Sequence, residues 1–416
     1  MLKVLDVDRW VVERRSSLDE AKKSVGGIIQ LVQDEGDEAL LRMARKYEPD
    51  IHSVRVTTEE REAAFEEVDD RLLESLIEAW ARITRFHELQ KDRELWLEEV
   101  EPGIILGVKT TPLERVGLYI PGRRAAYPST ALMTAVPAKV AGVREMCACT
   151  PPPVLPLTLV ALDIAGVEEI YRIGGAQAIA AMALGTKTIK PVQKIVGPGN
   201  VYVTAAKMLL REHAEIDFPA GPSEIGIIAD SSANPTFIAI DILAQAEHDP
   251  DAACVLITTD RTLTEKVEKE IDRLLIDAPR KEIIEKALAQ SGYILTPDLD
   301  SAVSAMDRIA PEHLSIQVKD SLSVLNAVKN AGSIFVGPYA PVACGDYASG
   351  TNHVLPTAGY AKTYSGLNVG HFCKTSTVQI IDRTGLEAIG DVIETIADAE
   401  GLHAHAESVR IRRSFK

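Results

Sequence analysis

The chain has 416 residues, a length that favours two or more domains over a single compact core. Its 61 acidic and 45 basic residues give a formal charge of −16, which argues against a nucleic-acid partner or an anionic membrane surface. The sequence has no apolar run of about 18 residues and no pattern of a secretory leader, so we expect a cytoplasmic protein. Its five scattered cysteines contain no CxxC pair and indicate neither a disulfide framework nor a cysteine zinc site.

The first hundred residues predict helices with an acidic outer face. Apolar positions recur at helical spacing over 18–47 and 57–97, and Asp and Glu dominate the other face. We therefore assign residues 1–102 to a helical N-terminal region and expect it to pack on the second of two α/β domains.

From residue 103 short apolar runs alternate with helical segments, which is typical of βαβ units and a parallel sheet. This pattern assigns residues 103–223 to a first Rossmann-like domain. Its predicted strands cover 104–109, 116–120, 145–149, 169–173 and 194–196.

Three strand ends in this domain carry glycine-containing loops, at 119–122, 174–177 and 197–200. Ligands of open α/β sheets bind beyond the carboxyl ends of the strands, where helix N-termini present free N–H groups to phosphates. The loops are therefore candidates for a dinucleotide site. The alternative is a set of tight turns. The GxGxxG fingerprint is absent, so any nucleotide site here is an atypical one.

A strand predicted over 225–229 leads to a helix start at Asn234, a capping residue that precedes a proline. Asp241, Gln245 and His248 share one face of this helix. Gln245 and His248 can share a metal ion or a polar ligand. The alternative is a solvated stripe that ends in a histidine favoured by the helix dipole.

The alternation of strands and helices then resumes, and we assign residues 224–365 to a second Rossmann-like domain. Within it, Glu312 and His313 lie in a polar stretch where a connecting loop is expected. A carboxylate beside an imidazole is the pair that general acid–base chemistry commonly needs. The alternative is an exposed helix terminus that carries both residues by chance.

The last segment, 366–416, is predicted to be a small C-terminal tail domain with an amphipathic helix over 386–400. His403 and His405 follow that helix. They either bind a metal ion or lie on the surface.

Eight short motifs occur along the chain in a fixed order. They are Gly117-Leu-Tyr-Ile-Pro-Gly122, Gly174-Gly-Ala-Gln-Ala-Ile179, Gly197-Pro-Gly-Asn200, Ala220-Gly-Pro-Ser-Glu224, Gln245-Ala-Glu-His248, Pro311-Glu-His-Leu314, Gly345-Asp-Tyr-Ala-Ser-Gly350 and Asn352-His-Val-Leu-Pro-Thr357. The motifs appear in the order seen in histidinol dehydrogenases, and the chain resembles that family over essentially its whole length. The resemblance implies a zinc-dependent, NAD-linked oxidoreductase that converts L-histidinol through L-histidinal to L-histidine, the last steps of histidine biosynthesis.

The resemblance also implies roles for individual residues. The family's metal ligands, for one zinc ion per subunit, fall on Gln245, His248, Asp346 and His405. Its acid–base pair falls on Glu312 and His313. Its substrate contacts fall on Ser223, Gln245, His248, His313, Asp346, Glu400 and His405. Its nucleotide contacts fall on Tyr119, Gln177 and Asn200. It further implies a homodimer in which the tail crosses over, so that each site is completed by the partner chain.

Two positions depart from the family pattern. Arg123 stands where the family often has a second glycine, and His371 with Thr375 replaces a common acidic and basic pair. The first change bears on the edge of the nucleotide loop and the second on the docking of the tail. Neither change involves a predicted ligand.

The implied chemistry fits these residue types. Oxidation of a primary alcohol to an acid needs two hydride transfers with addition of water between them. We expect His313, with a pKa near neutrality, to accept the hydroxyl proton and Glu312 to activate the water. Two imidazoles, a carboxylate and an amide oxygen form a donor set suited to zinc and leave room for substrate nitrogens.

Two other functions stay open. One is a paralogous NAD-dependent dehydrogenase of another amino or sulfonated alcohol, against which the joint presence of Gln245, Glu400 and His405 argues. The other is a metal- or nucleotide-binding protein without catalysis, which we would expect to have lost Glu312 or His313.

Overall fold

The computed structural model describes residues 2–14, 19–122 and 126–415. The strands are β1 (Lys3–Val4), β2 (Leu95–Glu101), β3 (Ile104–Pro112), β4 (Arg115–Tyr119), β5 (Glu145–Cys149), β6 (Glu169–Tyr171), β7 (Lys194–Val196), β8 (Glu215–Ile216), β9 (Glu224–Ala229), β10 (Ala253–Thr258), β11 (Gly292–Leu295), β12 (His313–Gln317), β13 (Ser333–Val336) and β14 (Cys373–Ile381). The helices are α1 (Val7–Arg14), α2 (Asp19–Glu35), α3 (Asp37–Ala44), α4 (Thr58–Glu66), α5 (Asp70–Glu88), α6 (Pro128–Ala141), α7 (Pro156–Ile164), α8 (Ala176–Leu184), α9 (Val201–Leu209), α10 (Pro235–Ala246), α11 (Arg261–Leu275), α12 (Lys281–Leu288), α13 (Leu299–Ile309), α14 (Ser321–Ala327), α15 (Arg383–Ala399) and α16 (His403–Ser414).

The chain divides into two compact units. The first unit comprises Met1–Gln90 and Glu114–Phe372, and the second comprises Lys91–Leu113 and Cys373–Lys416. This grouping differs from the predicted boundaries, because residues 91–113 join the C-terminal segment and not the sheet that follows them. None of the helices in the described part of the chain is long and apolar enough to cross a lipid bilayer.

The first unit contains a parallel sheet with the order β6-β5-β4-β7-β8. Its strands are short apolar runs with helices on both faces, and Val116 and Leu118 of β4 are fully buried. The chain adds β5 and β6 on one side of β4 and then returns to add β7 on the other. The strand order therefore reverses between β4 and β7, which is where open α/β sheets form a crevice.

A second parallel sheet in the same unit has the order β1-β11-β10-β9-β12-β13. Every residue of β9 and β10 is buried, as expected for central strands covered on both faces. The strand order of this sheet reverses between β9 and β12, where His313 pairs with Ile225. The predicted α/β class with two parallel sheets is confirmed.

The N-terminal helices pack differently from the expectation. Val25 and Val32 of α2 share a core with Ile179 of α8 and Val203 of α9, so this helix covers the first sheet. Only the first residues reach the second sheet, through β1 at its edge and Trp10 of α1 in its core. The apolar face of α2 finds its complement on the alanine-rich helices of the first sheet, a choice that helical periodicity alone does not determine.

The second unit contains an antiparallel sheet with the order β14-β3-β2, followed by α15 and α16. The helix predicted over 57–97 is wrong beyond Glu88, because 95–101 forms β2 and pairs with β3 through a turn at Gly103. The predicted strand at 104–109 exists, but it belongs to this antiparallel sheet. Pairing between strands has overridden the helical spacing of the apolar residues here.

Candidate functional site

Glu312 and His313 lie at the amino end of β12, beside the amino end of β9. The backbone N–H of Glu224 donates to Glu312 Oε2 at 3.0 Å. His313 Nδ1 lies 3.3 Å from the carbonyl oxygen of Glu224 and must donate to it, since a carbonyl only accepts. The backbone N–H and C=O of a single residue of β9 therefore hold both members of the predicted acid–base pair. The alternative of an exposed helix terminus is excluded, because both side chains are buried.

This contact sets the tautomer of His313. With the proton on Nδ1, the lone pair lies on Nε2, which has no hydrogen-bond partner in the described structure. Burial, together with the nearby His248 and His353, lowers the pKa of His313 to about 3. This corrects the expected pKa near neutrality: burial keeps the ring neutral, so the lone pair on Nε2 is unprotonated but less basic than that of a solvated imidazole.

Two further carboxyls face this histidine. Burial raises the pKa of Glu312 well above its usual value, and the neighbouring carboxylates of Glu224 and Asp346 raise it further, against the hydrogen bond from Glu224. Asp346 lies in a short π-helical turn over Cys344–Ala348, with Oδ1 3.8 Å from His313 Nε2. Burial raises the pKa of Asp346 to about 7. Both carboxyls therefore keep their protons to higher pH than solvated carboxyls do.

The last turn of α10 supplies Gln245. Its amide oxygen and nitrogen are both buried and have no hydrogen-bond partner in the described structure. Asp241, one turn earlier, is also buried, so this face of α10 is not the solvated stripe of the alternative interpretation. A buried amide without partners is costly, which favours a ligand at this point.

His248 lies just after the end of α10 at Ala246. It is exposed in the single chain, yet enough protein surrounds the ring for desolvation to lower its pKa. It is also close enough to His313 and His353 to lower the pKa of each. The two predicted ligands from α10 therefore lie at the same end of the second sheet as the acid–base pair.

The metal-binding capacity of the described residues is limited. No three of their His, Cys, Asp or Glu side chains form a group that could hold a metal ion. The first unit does contribute an amide oxygen, an imidazole and a carboxylate from Gln245, His248 and Asp346, a nitrogen and oxygen set suited to zinc. The unpartnered amide of Gln245 fits such a role. His405, the fourth predicted ligand, lies in the second unit.

The predicted nucleotide residues lie at the carboxyl end of the first sheet. Tyr119 ends β4, and its hydroxyl accepts a hydrogen bond of 3.0 Å from the backbone N–H of Gly175. Gln177 lies in the first turn of α8. The Asn200 side chain caps α9 by accepting hydrogen bonds from the N–H groups of Tyr202 and Val203, at 3.1 and 3.2 Å. The three loops thus lie at the carboxyl end of the same sheet.

A pocket lies between residues of the two sheets. Its wall includes the loop from Gly197 to Gly199 on the side of the first sheet and Ser223, Glu312 and His353 on the side of the second. Ser223 is close enough to Glu312 to oppose the rise in its pKa. One of the three glycine loops and the carboxylate of the acid–base pair therefore border the same cavity.

Sequence similarity links this chain to one family of known proteins. The family model for histidinol dehydrogenase matches residues 12–413. Histidinol dehydrogenase of Methanosarcina mazei is 49% identical over 98% of this chain and 95% of its own length. That of Archaeoglobus fulgidus is 49% identical over 96% of this chain and 98% of its own. The crystal structure of histidinol dehydrogenase from Elizabethkingia anophelis is 36% identical, with a TM-score of 0.93, and covers 98% of this chain and 96% of that one.

The chain belongs to the histidinol dehydrogenase family. The enzyme class predicted from the sequence, an oxidoreductase, is thereby confirmed.

The remaining residues implied by the histidinol dehydrogenase resemblance lie in the second unit. Glu400 follows the last residue of α15, and His405 lies in the first turn of α16; both are exposed. Arg410 of α16 bonds to Glu394 of α15 at 3.0 Å and also to Asp398. These ion pairs hold the two helices as a hairpin that presents Glu400 and His405 at its turn.

Sequence reasoning named Glu224 and His353 only as members of motifs and gave neither of them a role. The backbone N–H of Glu224 orients Glu312, and its C=O orients His313. His353 lies between Thr130 Oγ1 at 3.3 Å and the carbonyl oxygen of Asp346 at 3.0 Å. In the sequence, the signal for both residues is an ionisable side chain directly before apolar residues.

Among the departures from the family pattern, the described residues His371 and Thr375 take part in none of these contacts. Arg123 lies outside the described residues. The His371 ring stacks edge-on against Phe218 at 6.3 Å, in the first unit. Thr375 is an exposed residue of β14 that pairs with Thr110 in the second unit.

Proposed function

We propose that this chain oxidises L-histidinol through L-histidinal to L-histidine, with NAD as oxidant and one zinc ion per subunit, as a cytoplasmic enzyme of histidine biosynthesis. The observation that carries this proposal is the arrangement at β12. A buried Glu312 borders the same pocket as the Gly197–Gly199 loop of the first sheet, and the adjacent His313 is neutral with a free Nε2.

The first oxidation needs a base for the hydroxyl proton, and His313 is suited to it. Its Nδ1–H donates to Glu224, so the incoming proton goes to Nε2. The resulting imidazolium lies 3.8 Å from Asp346 Oδ1, and this carboxyl stabilises the new charge when it is ionised. The strand thus holds the ring in the orientation and tautomer that the step requires.

The second oxidation needs water added to the aldehyde, and Glu312 is suited to accepting the proton of that water. The N–H of Glu224 fixes one carboxylate oxygen, and the nearby Ser223 favours the ionised carboxylate. Burial has raised the pKa of this carboxyl, so it is a stronger base than a solvated glutamate once it is ionised.

The cofactors would be held by residues from both sheets. Tyr119, Gln177 and Asn200 would contact NAD, and Gln245, His248, Asp346 and His405 would bind zinc. When bound, NAD supplies the hydride acceptor and zinc supplies a template that orients the imidazole and amine of the substrate.

The exposed apolar surface of the second unit supports a homodimer. In the single chain, Leu95, Trp96, Leu97 and Val100 of β2 are all exposed, as are Ile380 and Ile381 of β14. An exposed apolar sheet is normally covered in the working assembly. We propose that a second copy covers it and that Glu400 and His405 complete the partner's site, which is consistent with the exposure of His248. No nucleic acid or membrane is required as a partner.

A direct assay tests the function. The protein, supplied with zinc, is incubated with NAD and either L-histidinol or other amino alcohols and a sulfonated alcohol, and NADH formation is followed. We expect two NADH per L-histidinol, production of L-histidine and loss of activity after chelation. Preference for another alcohol would assign the chain to a paralogous dehydrogenase, and full activity after exhaustive chelation would exclude the role of zinc.

A further inference from the structure

A buried ion pair lies behind the loop Gly197–Asn200. Lys207 projects from α9, Asp217 follows the last residue of β8, and their charged groups are bonded to each other. The Lys207 side chain is only 5% exposed and that of Asp217 only 1%. Neither residue belongs to the predicted catalytic, metal or nucleotide set.

Both members of this pair bond to the backbone of Gly197. The Gly197 N–H donates to Asp217 Oδ2 at 2.8 Å, and Lys207 Nζ donates to the Gly197 carbonyl oxygen at 2.9 Å. Gly197 is the first residue after β7 and has a φ of +118°. A Cβ there would lie 2.2 Å from the Tyr119 carbonyl oxygen, so the loop passes directly against the end of β4, at the reversal of strand order.

Stability alone is a weak reason for such a pair. Removal of two charges from water costs much of what their attraction returns, and well-packed apolar residues often serve equally well. Apolar replacements here would leave the N–H and C=O of Gly197 buried without these partners. The pair therefore determines the local conformation of the loop.

The pair also connects the two walls of the pocket. Lys207 lies in the helix that Asn200 caps, and Asp217 begins the segment that leads to Ser223 and β9. A second link runs parallel to it, since Thr204 Oγ1 of α9 donates to the Ala220 carbonyl oxygen at 2.9 Å. A shift of Asp217 would therefore be felt on both sides of the pocket.

We propose that Lys207 and Asp217 are positioning residues for the dinucleotide. Their ion pair fixes the backbone N–H and C=O of Gly197. This holds the Gly197–Asn200 loop and the N-terminus of α9 in the position that faces the cofactor. Both residues also line the pocket beside the loop, and the pair acts through the backbone of Gly197. This inference rests on the proposed function, in which NAD occupies the carboxyl end of the first sheet.

The test compares NAD affinity in Lys207→Met and Asp217→Asn with that of the wild-type protein, by calorimetric titration without substrate. Methionine keeps the length of the lysine stem and removes the charge; asparagine keeps the shape of aspartate and removes one acceptor. We expect the dissociation constant for NAD to rise about tenfold in each, the loss typical of one hydrogen bond to a charged group. In steady state, the KM for NAD should rise while kcat at saturating NAD stays within about twofold.

Arg115→Met is the matched control. Arg115 is a buried cation at the opposite, amino end of β4 and bonds to Glu145 at 2.8 Å and Glu169 at 2.6 Å. Its loss should lower the melting temperature without changing NAD affinity. An equal loss of affinity in Arg115→Met, or unchanged affinity in both folded test variants, would overturn the positioning role. Absence of NAD binding by the wild-type protein would instead overturn the proposed function.

Hydrogen exchange on the unmodified protein covers the case in which the variants do not fold. NAD should slow exchange of the amides of Gly197, Tyr202 and Phe218 together, because all three are tied to one hydrogen-bonded group around Asn200 and Asp217. Protection of Tyr202 without Gly197 and Phe218 would show that the ion pair is not part of the binding element.

Discussion

The two parallel sheets of the first unit have the same build but use opposite ends. In the first sheet, Tyr119 and Asn200 lie at the carboxyl ends of β4 and β7, where open α/β sheets place their ligands. In the second sheet, Glu312 and His313 lie at the amino end of β12, beside the amino end of β9. Both sets lie where the order of their own sheet reverses. The general rule therefore locates the strands that carry the candidate residues in both sheets, but the end at which they lie in only one.

The chain connection explains the difference. β8 ends at Ile216 and β9 begins at Glu224, so the seven residues between them span at most roughly 25 Å. The carboxyl end of the first sheet is therefore tethered to the amino end of the second. α10 runs back along the second sheet and brings Gln245 and His248 to this same amino end. A single pocket between the sheets is therefore lined by the carboxyl end of the first sheet and the amino end of the second.

If the amino end of the second sheet is the chemical side, its two ionisable residues should give the largest losses. We expect His313→Asn to slow oxidation of histidinol by about 10²- to 10⁴-fold, the usual contribution of a general base. Glu312→Gln should spare oxidation of histidinol more than oxidation of histidinal, because only the aldehyde step needs an activated water. The two half-reactions are measured separately with histidinol and histidinal. Equal losses of both steps in Glu312→Gln would contradict the assignment of roles.

The next prediction tests whether the same end is completed by a partner chain. His248→Ala and His405→Ala should each be nearly inactive, since loss of a metal ligand costs more than the 10- to 100-fold typical of an outer-shell partner (about 1.4 to 2.8 kcal/mol). Co-expression should restore about a quarter of wild-type activity, because half of randomly formed dimers are mixed and one of their two sites is intact. His248→Ala with Asp346→Ala, two lesions from the first unit, is the control and should restore none. If each chain builds its whole site alone, neither mixture regains activity.

The sequence pattern predicted the parallel strands well and the strand order not at all. The runs 145–149 and 194–196 are strands with the predicted bounds, because buried parallel strands are largely apolar. Strand order depends on pairings between distant residues, such as His313 with Ile225, which leave no local signal. For the same reason the polar stretch at 311–314 was expected to be a loop, although His313 begins a strand.

The candidate site was predictable only as a set of residue types. The motifs named Glu312, His313 and Gln245, but not the peptide of Glu224 that orients the first two. A backbone contact leaves no trace in residue identity. The pKa of His313 likewise depends on burial by the folded chain, so its reduction to about 3 could not be read from the neighbouring residues.

The carboxyl end of the first sheet should respond to changes in backbone shape. Gly197→Ala places a methyl group 2.2 Å from the Tyr119 carbonyl oxygen at a φ of +118°. We expect it to lower the free energy of unfolding by about 2 to 4 kcal/mol and to weaken NAD binding. Gly337→Ala, with a φ of +87° and open space around the added methyl, is the control for backbone strain alone. Chemical denaturation measures both variants, and equal losses would show that close packing against β4 is unimportant.

The smallest effect is expected from Tyr119→Phe, which removes one hydroxyl at that same end. The Tyr119 ring is buried and should keep its place, but the N–H of Gly175 loses the acceptor it now has at 3.0 Å. The net value of one such hydrogen bond is about 0.5 to 1.5 kcal/mol, so NAD affinity should fall by about two- to twelvefold, with kcat nearly unchanged. Tyr202→Phe, a change in an exposed ring beside the same loop, should have no effect. A large fall in kcat for Tyr119→Phe would mean that the carboxyl end of the first sheet takes part in the chemistry, and the division of labour between the two sheets would have to be abandoned.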